Sequence, residues 1–306
     1  MNEIKIFSPA TVANVACGFD VLGFALKEVG DTMYVRKSDE RGINITQIEG
    51  FNLSKNTLEN VAGVSALAML ESLDINHGFD IRIDKKIKPG SGIGSSSASA
   101  AGSVFAMNEL LNRPFSKDKL VEFAMKGEAV ASQSEHADNV APAIYGGITF
   151  VKSTDPLEIL PLPVPEDLFV VIIHPLIEVK TSESRALLPS SVDLSLAVQH
   201  SANLGGLVHA LHTNNYELIR SSLNDLLIEP HRAKLIPYFS QIKSTMLKSG
   251  ALGCGISGSG PSVFALCNGE DIAERILENL TMELSNASFE FDVYSSSINN
   301  RGIIIL

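Results

Sequence analysis

The chain has 306 residues, 45% of them apolar, enough for a substantial hydrophobic core divided between two domains. Its 24 basic and 35 acidic residues leave a net charge near -11, which argues against nucleic acid or an anionic membrane surface as a partner. A small anionic ligand in a locally positive pocket stays compatible with that charge. Cys17, Cys254 and Cys267 form no CxxC pair or His/Cys cluster, so a structural zinc site is not expected. No basic-plus-apolar leader and no bilayer-length apolar run are present, and the expectation is a cytoplasmic protein with reduced thiols and no membrane span.

Along the chain, residues 4–7, 31–36, 43–48 and 79–83 read as strands, most of them alternating apolar and polar side chains. Apolar residues recurring after Asn56, at Leu58, Val61, Ala62, Val64, Leu67, Ala68 and Leu70, predict a helix. Residues 95–111 predict a second, rich in Ala and Ser. Ser116 is placed to cap a third, running to about Gln133. A strand is predicted at 146–151. Residues 152–167 carry Pro156, Pro161, Pro163 and Pro165 and mark the expected domain boundary. Beyond it lie a buried strand at 168–173 and helical patterns at 191–212, 215–229 and 231–239. A glycine-rich stretch at 250–260, an apolar strand at 262–267, a helix from Asp271 and strands near 289–294 and 302–306 complete the chain. Strands and helices mix without regular βαβ spacing, which reads as an α+β fold with helices on mostly antiparallel sheets.

The stretch Pro89-Gly-Ser-Gly-Ile-Gly-Ser-Ser-Ser-Ala-Ser-Ala-Ala is uncharged and runs directly into the second predicted helix. A flexible linker does not ordinarily feed a helix of small residues. A glycine turn that opens a helix presents several free N–H groups and the positive end of the helix dipole to an anion. The stretch lacks the Lys of GxxxxGK[ST], and Gly90, Gly92 and Gly94 are spaced GxGxG rather than GxGxxG. A formal GxGxxG at Gly253, Gly255 and Gly258 does not open a clear βα unit. A GxSxG elbow is absent.

Other residues stand out singly. Asn14 and Asp20 lie in an apolar block and are either turn residues or a polar pair in a pocket. Glu128 sits among small residues on the third predicted helix; facing inward, it would need a partner or a cation, and Mg²⁺ suits one carboxylate plus phosphate oxygens. Glu135, His136, Asp138 and Asn139 cluster after that helix, where His136 could be a base, a ligand contact or a surface cap. Arg185 and Arg232 could each clamp a carboxylate or lie on the surface. The second glycine block, Gly253-Cys-Gly-Ile-Ser-Gly-Ser-Gly-Pro-Ser, enters a buried strand and is either a tight backbone crossing or a wall close to the first loop.

Three of these blocks, in order, resemble the motifs of the GHMP small-molecule kinases. They are Pro9-Ala-Thr-Val-Ala-Asn-Val-Ala-Cys-Gly-Phe-Asp-Val-Leu-Gly, Pro89-Gly-Ser-Gly-Ile-Gly-Ser-Ser-Ser-Ala-Ser-Ala and Gly255-Ile-Ser-Gly-Ser-Gly-Pro-Ser. The first, with Glu135-His-Ala-Asp-Asn-Val-Ala-Pro-Ala, points to the homoserine kinase branch. The resemblance implies a two-domain GHMP fold: an N-terminal ATP-binding domain over 1–160, like the second domain of ribosomal protein S5, and an α/β-plait-like domain over 161–306 that completes the substrate site. It implies ATP and Mg²⁺ in the cleft, with Asn56 and Thr57 near the adenine and Lys88, Pro89, Gly90, Ser91, Gly92, Ile93, Gly94, Ser95, Ser96 and Ser97 about the phosphates. Ser96 and Glu128 match the Mg²⁺ positions. Asn14, Asp20, His136, Asp138, Arg185 and Arg232 match the site for L-homoserine, Asp20 meeting its ammonium and the arginines its carboxylate. Catalysis would rest on Asn139, Glu128 and Arg185, with Asn139 orienting the hydroxyl and no strong side-chain base. A homodimer is expected. Two departures, Val15-Ala-Cys where the family usually has Leu-Gly-Pro and Ala137 where Pro is usual, remove none of these side chains.

Overall fold

In the computed structural model, which describes residues 2–132 and 136–306, the chain forms eleven strands and ten helices among the described residues. The first half comprises β1 (Glu3–Ala13), β2 (Leu22–Ser38), β3 (Ile43–Glu49), α1 (Val61–Glu71), β4 (Gly78–Asp84), α2 (Ser95–Leu110), α3 (Lys117–Ser132), α4 (Val140–Tyr145), β5 (Ile148–Thr154) and β6 (Leu157–Leu162). The second comprises β7 (Leu168–Pro175), α5 (Thr181–Ala186), α6 (Leu194–Thr213), α7 (Tyr216–Ser222), α8 (Glu229–Arg232), α9 (Phe239–Lys248), β8 (Gly253–Ile256), β9 (Val263–Asn268), α10 (Glu270–Glu283), β10 (Phe291–Ser297) and β11 (Ile304–Ile305).

β1 and β2 run well past the alternating stretches that announce them. From Ser8 to Ala13 every side chain of β1 is buried, so period-2 contrast disappears where the strand is covered on both faces. Besides its pairing with β1, β2 is long enough to serve two further partners: Leu22, Gly23 and Phe24 pair with β5, and Thr32 to Ser38 pair with β4. The first sheet has the order β11-β1-β2-β4-β3, with β5 and β6 continuing from β2, and β3 with β4 is its parallel pair. The second is antiparallel in the order β10-β7-β9-β8. Numbered within its own half, that order is 4-1-3-2, with helices between its first and second and its third and fourth strands, the arrangement of an α/β plait.

Three apolar clusters hold these layers. Met33, Phe79, Ile81 and Ile83 of the first sheet pack under α1, α2, α3 and α4. Val12, Phe24 and Leu26 meet Val170, Ile172 and Phe264 between the two sheets, where Phe24 and Phe264 make an edge-on ring contact at 6.1 Å. Val171, Ile173 and Val263 face α9 and α10 on the far side. Adjacent residues of β7 therefore serve opposite clusters, which explains its unbroken apolar run.

α2 lies at the centre of the first cluster, and the Ala, Ser and Gly side chains of its first half help it touch β1, β2, α1, α3 and α4 together. At Gly127, on α3, an added Cβ would stand 2.0 Å from Ser65 Oγ on α1, so that helix crossing needs a glycine next to Glu128.

Several boundaries differ from the sequence-based expectation. α1 begins at Val61, capped by Asn60 Oδ1 accepting from Ala62 and Gly63 N–H, and Leu58 is left exposed before it. The proline-rich stretch at the expected boundary also contains β6, an edge strand on β5 with Pro161 opposite Thr149, where the missing N–H costs no ladder bond. The helical pattern at 215–229 stops at Ser222, because Asp225 turns the chain by accepting from Leu227, Ile228 and Glu229 N–H. The pattern at 231–239 is a single turn and a 3₁₀ segment followed by α9. α4, α5 and β8, of six, six and four residues, are too short for a repeating pattern to stand out in the sequence.

Candidate active site

The phosphate-loop candidate closes over the N-terminus of α2. Gly90, Gly92 and Gly94 all have positive φ, and Gly94 sits at the N-cap in the left-handed region. A Cβ at Gly94 would stand 2.0 Å from Thr11 Oγ1, so both conformation and space demand glycine there. With no side chain capping the helix, its first N–H groups stay available to an anion. The second glycine block approaches as one of its two readings required. Ser257 Oγ donates to Gly92 O (2.7 Å) and Ser262 Oγ to Ser91 O (2.6 Å).

Beneath the loop lies an ion pair that local sequence reading missed. Lys85 Nζ donates to Asp31 Oδ2 (2.5 Å), Ser95 O (2.5 Å) and Ser99 Oγ (2.9 Å), while Asp31 Oδ1 accepts from Lys86 and Ile87 N–H (2.7 and 2.9 Å). Both side chains are buried, and burial pushes the Lys85 ammonium down against the pull of Asp31. Ser99, in the second turn of α2, is thereby drawn from plain helix packing into the support of this lysine. Ser95 Oγ donates to Ile87 O (2.8 Å).

Glu128 faces inward. Ser96 Oγ donates to its Oε2 (3.1 Å), and burial pushes its carboxyl up while Ser96, Ser97 and Lys85 hold it down. A hydroxyl and a carboxylate side by side are hard oxygen donors of the kind Mg²⁺ takes together with phosphate oxygens and water. Among the described residues no group of three or more His, Cys, Asp or Glu is disposed for a metal.

The first glycine block forms the adjoining wall. Asn14, Val15, Ala16 and Asp20 all have positive φ, unusual for Val above all, in a turn held from the second half of the chain. Asn14 Nδ2 donates to Gly258 O (2.7 Å), Gly258 N–H to Ala13 O (3.2 Å), and Asn14 Oδ1 accepts from Asp20 N–H (3.0 Å). Asp20 is paired with Arg185 through three contacts of 2.9–3.2 Å. Arg185 Nη2 also meets His136 Nε2 at 2.9 Å. Guanidinium only donates, so Nε2 is the acceptor and the proton sits on Nδ1. Burial, then Arg185 and Arg232, push His136 down despite Asp20. Arg232 is 2% exposed, bonded to Ser184 O and Gly258 O, and pushed down by burial and by Arg185. Phe19 lies against both guanidiniums, at 5.4 and 5.1 Å. Neither arginine is the isolated surface residue that its neighbours in sequence allowed.

These groups line one cavity of about 490 Å³. Of the residues singled out from sequence, it is lined by Asn14, Asp20, Pro89, Gly90, Gly92, Gly94, Ser95, Ser96, Ser97, Glu128, His136, Asp138, Asn139, Arg185 and Arg232. Lys88, Ser91 and Ile93 support the loop from behind: Lys88 O accepts from Ser91 N–H, and Ile93 O from Thr11 N–H. Asn56 and Thr57 do not line it, since Asn56 Oδ1 caps Leu58 N–H and Thr57 Oγ1 donates to Ile43 O. Their neighbours Leu53, Ser54, Glu59, Asn60 and Val61 form that rim instead. Glu135 lies outside the described residues.

Asp138 is 4% exposed, and burial followed by Asp20 and Glu128 pushes its carboxyl up to about 7. The folded protein then holds a proton between the ordinary Asp range and pH 7 that the unfolded chain releases, so stability falls as pH rises through that window. Asn lacks this penalty. Without nucleotide or metal, Asp138→Asn should gain on the unaltered protein by on the order of 2 kcal/mol between about pH 5 and about pH 8 in denaturant titrations. A pH-independent difference would contradict the assignment. Lys85→Met should cost ~3–5 kcal/mol by leaving Asp31 buried without its cation. Adding Asp31→Asn should recover part of that loss.

Residues 56–147 match the GHMP kinases N terminal domain and residues 207–285 the GHMP kinases C terminal domain. The crystal structure of homoserine kinase from Cytophaga hutchinsonii superposes with a TM-score of 0.96 at 45% identity, over 100% of this chain and 98% of that one. The homoserine kinase of Chlorobium phaeobacteroides (strain BS1) is 39% identical over 320 residues, covering all of both chains. L. major mevalonate kinase shares the fold at 16% identity, with a TM-score of 0.73 over 96% of each chain. The chain belongs to the GHMP kinases and, within them, to the homoserine kinase family.

Proposed function

We propose that this protein transfers the γ-phosphoryl group of ATP to the side-chain hydroxyl of L-homoserine, giving O-phospho-L-homoserine and ADP. The observation that carries this reading is a single cavity with two kinds of wall. One is a glycine loop and helix N-terminus suited to phosphates; the other sets a carboxylate, Asp20, among Arg185, Arg232 and His136. An α-amino acid is a zwitterion and needs both signs at once. Its ammonium answers Asp20 and its carboxylate answers the guanidiniums, so the ligand exchanges one internal ion pair for two. Mevalonate, which lacks an ammonium, would leave Asp20 without a counterpart.

Phosphoryl transfer depends mainly on positioning and charge neutralisation. The N–H groups at the start of α2 and the backbone of 89–94 bind the nucleotide phosphates. Ser96 and Glu128 would hold Mg²⁺, which when bound offsets phosphate charge. Asn139 orients the acceptor hydroxyl, whose oxygen forms the new bond to the γ-phosphorus as the bond to the β–γ bridging oxygen breaks. Neither His136 nor Lys85 is poised as a strong base: Nε2 of His136 is engaged by Arg185, and all three Lys85 donors are used. The hydroxyl proton passes to a phosphate oxygen. A division of the chain near residue 160 belongs to the same proposal, supported by β1–β6 lying in one sheet and β7–β10 in the other.

A coupled ADP-release assay with homoserine, threonine, serine, mevalonate and galactose tests this reading. Homoserine should be turned over fastest, and preference for mevalonate or galactose would sink it. Asp20→Asn should raise the homoserine KM by about tenfold or more while the ATP KM stays within about threefold. An unchanged homoserine KM would remove Asp20 from ammonium recognition.

A further inference from the structure

We propose that Thr11 is a positioning residue for phosphoryl transfer: its hydroxyl holds the oxygen of the Asn139 amide, so that Asn139 offers its NH₂ group to the acceptor hydroxyl. This rests on the cavity transferring phosphate to an alcohol, and not on which alcohol.

Thr11 is fully buried on β1, just past the point where the pairing register with β2 shifts. Its N–H donates to Ile93 O (3.2 Å), which fastens this part of β1 to the phosphate loop. Its Oγ1 donates to Asn139 Oδ1 at 2.7 Å, across 128 residues of sequence. The contact exists because Gly94 leaves room for it. A Cβ there would meet Thr11 Oγ1 at 2.0 Å and Asn139 Oδ1 at 3.1 Å. One hydroxyl thus ties together the first glycine block, the phosphate loop and the segment carrying Asn139.

Asn139 occupies the N-cap of α4, where asparagine ordinarily accepts from the helix's own N–H groups. Its side chain makes no such bond. The amide is turned away from its own helix and toward Thr11, and Asn139 lines the cavity. With Oδ1 turned onto the Thr11 hydroxyl, the amide is oriented to offer a ligand its Nδ2, which donates only. A donor can bind the acceptor's oxygen but cannot take its proton. The arrangement therefore leaves the hydroxyl proton free to reach a phosphate oxygen, whereas a flipped amide would hold that proton back. Thr11, β-branched and enclosed, has few alternative rotamers, so the amide is set before substrate binds.

The test is a double-mutant cycle on the full-length protein, run on whichever alcohol of the panel the unaltered protein turns over fastest. Thr11→Val keeps the shape and removes the donor. It should lower kcat about tenfold or more, with both KM values and the thermal midpoint close to those of Thr11→Ser. Thr11→Ser, which keeps the hydroxyl, should stay within about threefold of the unaltered kcat. Combined with Asn139→Ala, Thr11→Val should add less than about twofold to the loss from Asn139→Ala alone. Should Thr11→Val not fold, Thr11→Ala takes its place with the same expectations. An unchanged kcat in Thr11→Val, equal losses in the Ser and Val variants, or losses that multiply in the double variant would each overturn the proposal. Rejection of homoserine in favour of another alcohol would overturn the substrate reading and leave this one to the cycle. No turnover of any alcohol would overturn both.

Discussion

The buried pair of Lys85 and Asp31 is the constraint on which the site depends. β4 ends one residue before Lys85, and the phosphate loop begins a few residues after it. Asp31, in the middle of β2, holds the chain leaving β4 by accepting from Lys86 and Ile87 N–H, and it holds Lys85 itself. Lys85 in turn holds the first turn of α2 through Ser95 O and Ser99 Oγ. Both ends of the loop are thereby tied to one carboxylate on the central strand. Two charges out of water are costly, and such a pair is tolerable only when its hydrogen bonds are complete. Here every ammonium proton has an acceptor. The amides that face the cavity are consequently fixed in advance rather than ordered by the ligand.

The opposite wall depends on contacts between the two halves of the chain. Across the interface Asn14 donates to Gly258 O and Gly258 N–H to Ala13 O, Ser257 and Ser262 hold the carbonyls of Gly92 and Ser91, and Arg232 reaches both Ser184 and Gly258. The strained turn at 14–16 persists because these bonds over-determine it. Two guanidiniums near each other are normally unfavourable. Phe19 against both of them and Asp20 on Arg185 make the arrangement possible, and it gives the cavity a positive region in a protein of net negative charge.

Legibility in the sequence followed the range of the interactions. The helix at 95–111 and the glycine turn before it were readable to within a residue, because the signals for helix initiation and termination are local. The proline-rich stretch hid β6, because prolines accompany a boundary between units and an edge strand alike. Asn56 and Thr57 fell two or three residues from the rim that does line the cavity, since Asn60 and not Asn56 starts α1. Lys85 and Thr11 carried no signal at all. One is a lysine in a run with other lysines, the other a threonine in a strand. Only partners 54 and 128 residues away distinguish them.

What the sequence by itself determined is the local chemistry. It set a glycine turn feeding a helix of small residues, a carboxylate after a glycine, two further polar glycine blocks, and motifs whose order resembles one superfamily. These depend on backbone conformations and side-chain sizes that neighbouring residues impose. Only the tertiary structure decided which polar groups meet: Asp31 with Lys85, Asp20 with Arg185 and His136, and Thr11 with Asn139. A hydrogen bond requires its partners within about 3 Å in a set direction. For residues far apart in the chain, that proximity is created by the packing of the two sheets and of α2, and by nothing the residues carry alone.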